Sequence, residues 1–545
     1  MQRVSSPTPS GLDTRTRPKV GLIRLACAST IVAAVLLASC GGKSYPWVAD
    51  GITEEEWMAL STLDWIAEVD PALAEIVASY PWVVDGITSH GSVFLWFDER
   101  EALLTLSRIA EENPELARML ASYSWVVDDI TEAESRALYG LSRIAAEDPA
   151  LAEKVASYPW VVDGIIFYAG GMSPAPGEDD ALVDLGRIAE RDPALAWIVA
   201  SYPWVADGVT NNERRALDGL ASIAFVSIAA EDPAPALAEK VASYPWVADG
   251  ITEAESWALR GLDNIVHFDL LLAGIVVSYP WVADGITEDE SGALYYGLGW
   301  IAVEDPALAG MAVSYPWVVD GITEAETVAL SVLGWIADHV PALAEMLTSN
   351  SWVSDGITEA ESWALGVLGS IAGQDVALAE IVASYPWVAD GITEAESWAL
   401  FGLGGLALKD PVIAEMLASY PWVADGVTGD ELKALDTLGS IAESDVGIAR
   451  MLGFYPWVAD GITEAESRTL DSLGSIADQD PAPAEMLASY PWVADGITGD
   501  EREALDVLSS IAGRDVEFAR MLGSYPWVAD GITENDLTVL AGLLR

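Results

Sequence analysis

The chain has 545 residues, a hydrophobic content of 52% and 85 Asp+Glu against 26 Lys+Arg, for a formal net charge of −59. So apolar a composition, with its 28 prolines placed periodically, argues for a folded core and against disorder. The negative charge repels nucleic acid and anionic lipid headgroups and favours cations or basic partners, which excludes nucleic-acid binding.

Residues 1–40 come first and stand apart. Arg3, Arg15, Arg17, Lys19 and Arg24 form a basic region in which Asp13 is the only acid. Leu25 to Leu37 is an apolar stretch of 13 residues, short of the roughly 20 that span a bilayer as a helix. It runs into Leu37-Ala38-Ser39-Cys40. This order resembles the signal peptide of a bacterial lipoprotein, with its lipobox, over residues 1–40 only. The resemblance implies cleavage before Cys40, lipidation of that cysteine, and an extracytoplasmic protein held in the cell envelope by its acyl chains. The alternatives are an ordinary signal peptide with Cys40 incidental, and an uncleaved anchor. Cleavage would leave 21 Lys+Arg against 84 Asp+Glu and no cysteine besides Cys40, hence no disulfide framework.

From residue 41 to 545 the chain repeats. Variants of Tyr-Pro-Trp-Val-Ala-Asp-Gly-Ile-Thr occur 14 times, from Trp47 to Trp527, and nine of the 13 intervals between their tryptophans are 35 residues. One interval is 36 and three are 42 to 44. A fixed period of this length marks a stacked array in which each repeat buries its apolar face on its neighbours.

The repeat from Trp387 to Tyr420 serves as the pattern. Thr393 with Glu396 three residues on is a capping box. Leu400, Leu403 and Leu406 then follow at helical spacing, predicting a long helix of about fourteen residues. Asp410-Pro411 starts a second, short helix lined by Ile413, Met416 and Leu417. Pro421 to Asp425 reads as a single helical turn with Gly426 as its C-terminal cap. The predicted fold is therefore all-α, an α-solenoid of about 13 helix-helix-turn repeats plus a C-terminal half repeat. The period is near that of tetratricopeptide repeats, but their residue pattern is absent. A β-propeller is the weaker alternative, opposed by the capping boxes.

Little in this pattern suggests chemistry. An EF-hand register placed on Asp390-Gly391 would put Pro386, Val388 and Ser397 where oxygen ligands belong, so calcium binding of that kind is excluded and no metal or cofactor is expected. His90, His267 and His339 lie in different repeats without recurring partners, and no nucleophile elbow, zinc spacing or phosphate loop occurs. A non-catalytic role follows. The 14 motif tryptophans, invariant behind a proline in most copies, are expected in the core.

More telling are tryptophans at long-helix positions where the copies differ. The slot before Ala-Leu holds Trp257, Trp363 and Trp398, but Arg136, Lys433 or Glu503 elsewhere; the slot before Ile-Ala holds Trp300 and Trp335, but Arg143 or Ser440 elsewhere. The slots lie seven residues apart on one helical face. A slot that accepts Trp, Arg and Ser is not tightly packed, so Trp257, Trp300, Trp335, Trp363 and Trp398 are expected to form a binding ridge. Two apolar insertions, around Phe94, Trp96 and Phe97 and around Phe167 and Tyr168, are expected as binding loops. The 36-residue interval places one extra residue near Tyr295-Tyr296, consistent with a helix bulge.

The functional expectation is a lipid-anchored scaffold that binds a protein or peptide partner, one with basic character, along its solenoid face. A carbohydrate-binding surface protein using Trp and Tyr to hold a glycan, and a passive envelope spacer, remain beside it.

Overall fold

The computed structural model describes residues 53–85, 87, 99–128, 130–165, 177–226 and 234–543. Cys40 and the insertions with Phe94, Trp96 and Phe97 and with Phe167 and Tyr168 lie outside these residues. The chain divides into two compact units, Met1–Leu217 and Asp218–Arg545.

Every element among the described residues is a helix, and the fold is an all-α solenoid. Each repeat has three parts. In the pattern repeat these are a long helix, Glu394–Lys409, a short helix, Pro411–Ala418, and a one-turn helix, Pro421–Asp425. The long helix begins as its sequence requires. Thr393 Oγ1 accepts from the Glu396 amide, and Glu396 Oε2 accepts the Thr393 amide at 2.8 Å. It ends at Asp410, whose extended backbone and side chain, accepting from the Val412 amide, start the short helix before Pro411.

Within each compact unit the three parts stack in separate columns. In the second unit the long helix Glu359–Gln374 packs on Glu394–Lys409, which packs on Gly429–Ser444. The short helices Val376–Ala383, Pro411–Ala418 and Val446–Gly453 follow the same order, as do the one-turn helices between them. The first unit repeats this with long helices Glu54–Val69, Glu99–Glu112, Glu132–Glu147 and Glu178–Arg191. Leu400, Leu403, Leu406, Leu417 and Val388 are completely buried between columns. Each such side chain contributes roughly 1.5–3 kcal/mol by leaving water.

The motif tryptophans from Trp82 to Trp492 are core, as expected, and they do more than fill space. Trp387 Nε1–H donates to the Val423 carbonyl of the following repeat at 2.8 Å. The same bond recurs from Trp82, Trp125 and Trp160 in the first unit and from Trp246 through Trp492 in the second, always to the motif valine one repeat on. The neighbouring tyrosine makes a parallel link. Tyr420 Oη–H donates to the Gly453 carbonyl at 2.8 Å, and Tyr385, Tyr455 and Tyr490 bond the equivalent carbonyls.

As expected, Gly426 caps the one-turn helix; it does so at φ 117° and ψ 136°, an extended mirror-image conformation. The positive φ alone calls for glycine: nothing lies within 4 Å of where a Cβ at Gly426 would be, and at the equivalent Gly391 a Cβ would sit 3.6 Å from Glu361 Oε1, an ordinary contact. The extra residue near Tyr295 is absorbed as expected, by a π-helical turn over Ala293–Leu298 inside the long helix.

One joint breaks the pattern. Asn350 and Ser351 replace the tyrosine and proline before Trp352, and the buried Asn350 Nδ2 has no hydrogen-bond partner. Asn350→Tyr is expected to supply the missing link to the next repeat and raise stability by about 1 kcal/mol, read as a higher urea midpoint; an unchanged or lowered midpoint would refute the tyrosine's role. The tyrosines also set an alkaline limit. Burial pushes the phenols of Tyr158, Tyr244 and Tyr385 up to about 12, so the fold binds protons that the unfolded chain releases near its ordinary phenol pKa of about 10. Their stabilisation is complete below about pH 10 and is lost as pH rises toward 12. Phenolate absorbance and helical circular dichroism should therefore change together in that range. Ordinary phenol titration with helicity intact would contradict it.

Candidate binding groove on the long-helix face

The outward stripe of the long helix decides what each repeat presents. In Glu394–Lys409 the inward positions include Ser397, Ala399, Leu400, Gly402, Leu403, Gly404, Leu406 and Ala407, all buried. That leaves Trp398, Phe401, Gly405 and Leu408 facing out, spaced three or four residues apart on one side of the helix. Trp398 is 55% exposed, Phe401 51% and Leu408 58%. The following long helices carry polar residues in the same slots: Lys433, Asp436, Ser440 and Glu443, then Arg468, Asp471, Ser475 and Asp478. A helix that is apolar on its buried side and again on its outward stripe presents a surface that wants a partner.

These residues line an open groove. Its first chamber, about 580 Å³, lies between Glu359–Gln374 and Glu394–Lys409. Trp363, Val367, Trp398 and Phe401 form its apolar walls, and Glu359, Glu394 and Ser397 its polar edge. Trp398 and Phe401 meet edge to face with centroids 6.0 Å apart. A second chamber of about 430 Å³ shares the Val367 and Phe401 walls and continues over Gly405 and Leu408 to Asp436, Ser440 and Glu443. The floor is low because of glycines. Gly402 and Gly404 let the neighbouring helices approach: a Cβ at Gly404 would come 2.8 Å from Val367 Cγ1 and one at Gly402 3.2 Å from Leu435. Gly405 is different, since no atom lies within 4 Å of where its Cβ would be. It opens the groove instead of tightening the fold.

The five ridge tryptophans separate into two kinds. Trp363 and Trp398 come together in the groove, with Trp363 64% exposed. Trp335 is half-buried; its ring lies on the next long helix, where a Cβ at Gly373 would come 3.2 Å from Cη2, and it stacks on His339 with centroids 4.3 Å apart. Trp257 is half-buried against Tyr295 of the next repeat, centroids 4.9 Å apart. Trp300 is exposed at 42%, with its Cβ against Gly334 of the next helix, and it does not line the groove. Trp257 and Trp335 thus cover neighbouring helices, while Trp363 and Trp398 form a surface.

Phe401, Leu408 and Gly405 escaped the sequence reading. Their signal was present, as an apolar stripe where the sister helices are charged, but it was legible only by comparing whole outward stripes.

Two carboxylates outside the groove have raised pKa values. Burial raises the pKa of Asp179, and Asp180 adds to the shift while Arg136 opposes it. Burial likewise raises that of Asp263, against a hydrogen bond from Ser222 and the charge of His267. Both belong to helix-to-helix joints. The groove itself offers apolar walls, aromatic faces and carboxylates. Comparison of the chain with protein-family models, with curated proteins and with solved structures found no match.

Proposed function

We propose that this protein is a non-catalytic scaffold, tethered to the outer side of a bacterial membrane through Cys40, that holds a protein or peptide partner in the groove built by Trp363, Trp398 and Phe401. The carrying observation is the exposure of these three rings in a chain that otherwise folds its motif tryptophans away. Large rigid aromatics in a concave site are the usual anchors of protein recognition, because they bury much area while freezing few rotors. The surrounding charge supports a partner of basic character.

A carbohydrate ligand is the second reading, favoured by one observation. Glu359 and Glu394 share the first chamber with two indole rings, and rings with nearby carboxylates can stack on and hydrogen-bond a sugar.

The two readings separate by experiment. Displayed random peptides selected on the protein should bind at least about tenfold more weakly to the Trp363→Ala/Trp398→Ala variant, with circular dichroism unchanged. Glycans that respond to the double substitution while no peptide does would overturn the peptide reading in favour of the sugar. The tether has its own test. Cys40→Ser should abolish incorporation of labelled palmitate and release the protein from membranes, and continued labelling would remove the lipid anchor from the proposal.

A further inference from the structure

The groove has a direction, and the direction selects a kind of partner. Its first chamber lies beside the first half of Glu394–Lys409, on the side of Glu359–Gln374. Its second chamber lies over the later half of the same helix and reaches Gly429–Ser444 on the other side. The groove therefore crosses the outward face of the central helix obliquely. It does so where the ridge of side chains is interrupted by Gly405, which has open space above it. From Trp398 to Leu408 the helix rises about 15 Å. A furrow of that length, cut diagonally across a row of parallel helices, is the shape filled by another helix, whose side-chain ridges settle into such grooves at crossing angles near −50°.

Charge supplies the second constraint. Glu359 and Glu394 stand at one end of the groove and Asp436 and Glu443 at the other, all exposed. Among the described residues no hydrogen bond or ion pair engages these four side chains, and Lys433, on the same helix as Asp436, is held by Asp471 at 2.8 Å. The apolar floor is thus bracketed by carboxylates that lack counter-charges of their own.

We infer that the occupant is a cationic amphipathic helix of a protein partner, with its apolar face over Phe401, Gly405 and Leu408 between the two indoles' end and Glu443, and with Lys or Arg at its two ends meeting the carboxylate pairs. The inference rests on the groove being a peptide-binding site, as proposed above. Helix-in-groove recognition reads apolar anchors at i, i+3 or i+4, and i+7, which matches the spacing of the two chambers along the floor. The bracketing carboxylates add selectivity against acidic segments and make association sensitive to salt.

The test uses three synthetic peptides of about 14 residues, long enough for some four helical turns. One has a leucine face flanked by lysines, one the same face flanked by glutamates, and one is the lysine peptide scrambled. Each is titrated by fluorescence anisotropy against the protein, its Gly405→Leu and Gly405→Ala variants, and the Trp363→Ala/Trp398→Ala variant. Circular dichroism reports the fold of each. The ordered lysine peptide should bind at least about tenfold more tightly than the other two, and Gly405→Leu should weaken it by a similar factor, with Gly405→Ala intermediate. Equal binding of the scrambled or glutamate peptide, no binding of the ordered lysine peptide, or indifference to both Gly405 substitutions would overturn the inference. Peptides that lose affinity in the tryptophan variant but ignore Gly405 would leave the peptide-binding reading standing while removing the helical partner. Insensitivity of every peptide, selected ones included, to the tryptophan pair would remove both.

Discussion

The structure depends on a hydrogen bond that each repeat makes with the next. A buried indole N–H must find an acceptor, because leaving it unpaired costs more than the bond itself contributes. Here the acceptor is the carbonyl of the motif valine one repeat further on, at 2.7–2.9 Å in eleven pairs. This one requirement fixes the register of the one-turn helix against its successor. Proline is favoured ahead of the tryptophan because it presets the first helical φ, and glycine follows because the turn takes a positive φ. The tyrosine hydroxyl adds a second anchor of the same sense. Register is thereby held at the motif, and the long helices need only supply leucine and alanine to the interior.

That division of labour frees the outward stripe. A long helix can carry Arg468, Asp471 and Ser475 or Trp398, Phe401 and Gly405 without disturbing the joint, since neither set enters the core. Variation along the array is therefore cheap in stability and available for recognition. The groove arises where three successive helices differ in complementary ways: one contributes an indole, the next an apolar stripe with a missing side chain, the third a carboxylate edge. No single repeat contains it.

The same point explains what could and could not be read from the sequence. Features confined to one repeat were legible. Thr393 with Glu396 announces the long helix, Asp410-Pro411 the short one, and the extra residue near Tyr295 the π-helical turn, because each depends on neighbours close in the chain. The ψ of Gly426 was not legible, because glycine leaves both the left-handed helical and the mirror-image extended conformation open. Nor was the fate of the ridge tryptophans. Trp335 and Trp363 occupy comparable outward slots, yet Trp335 lies down on Gly369 and Gly373 while Trp363 remains upright beside Val367. The residues under Trp335, Gly369 and Gly373, lie 34 and 38 positions further on, beyond the reach of helical periodicity. Gly405 is the extreme case, a residue whose contribution is an empty volume.

The interlocking bonds have a sense of direction. Among the described residues, every indole and phenol bonded in this way within a unit gives its hydrogen forward, toward the higher-numbered repeat. Because donor and acceptor groups are the same in nearly every repeat, excising a whole 35-residue segment at the motif would join one indole to an equivalent valine carbonyl and strand no donor. Gain or loss of a repeat is then neutral for the joints, while it shifts which outward stripes stand side by side. Recombination within the gene could in this way shuffle one binding surface into another, using copies that are uniform where they touch and various where they face outward.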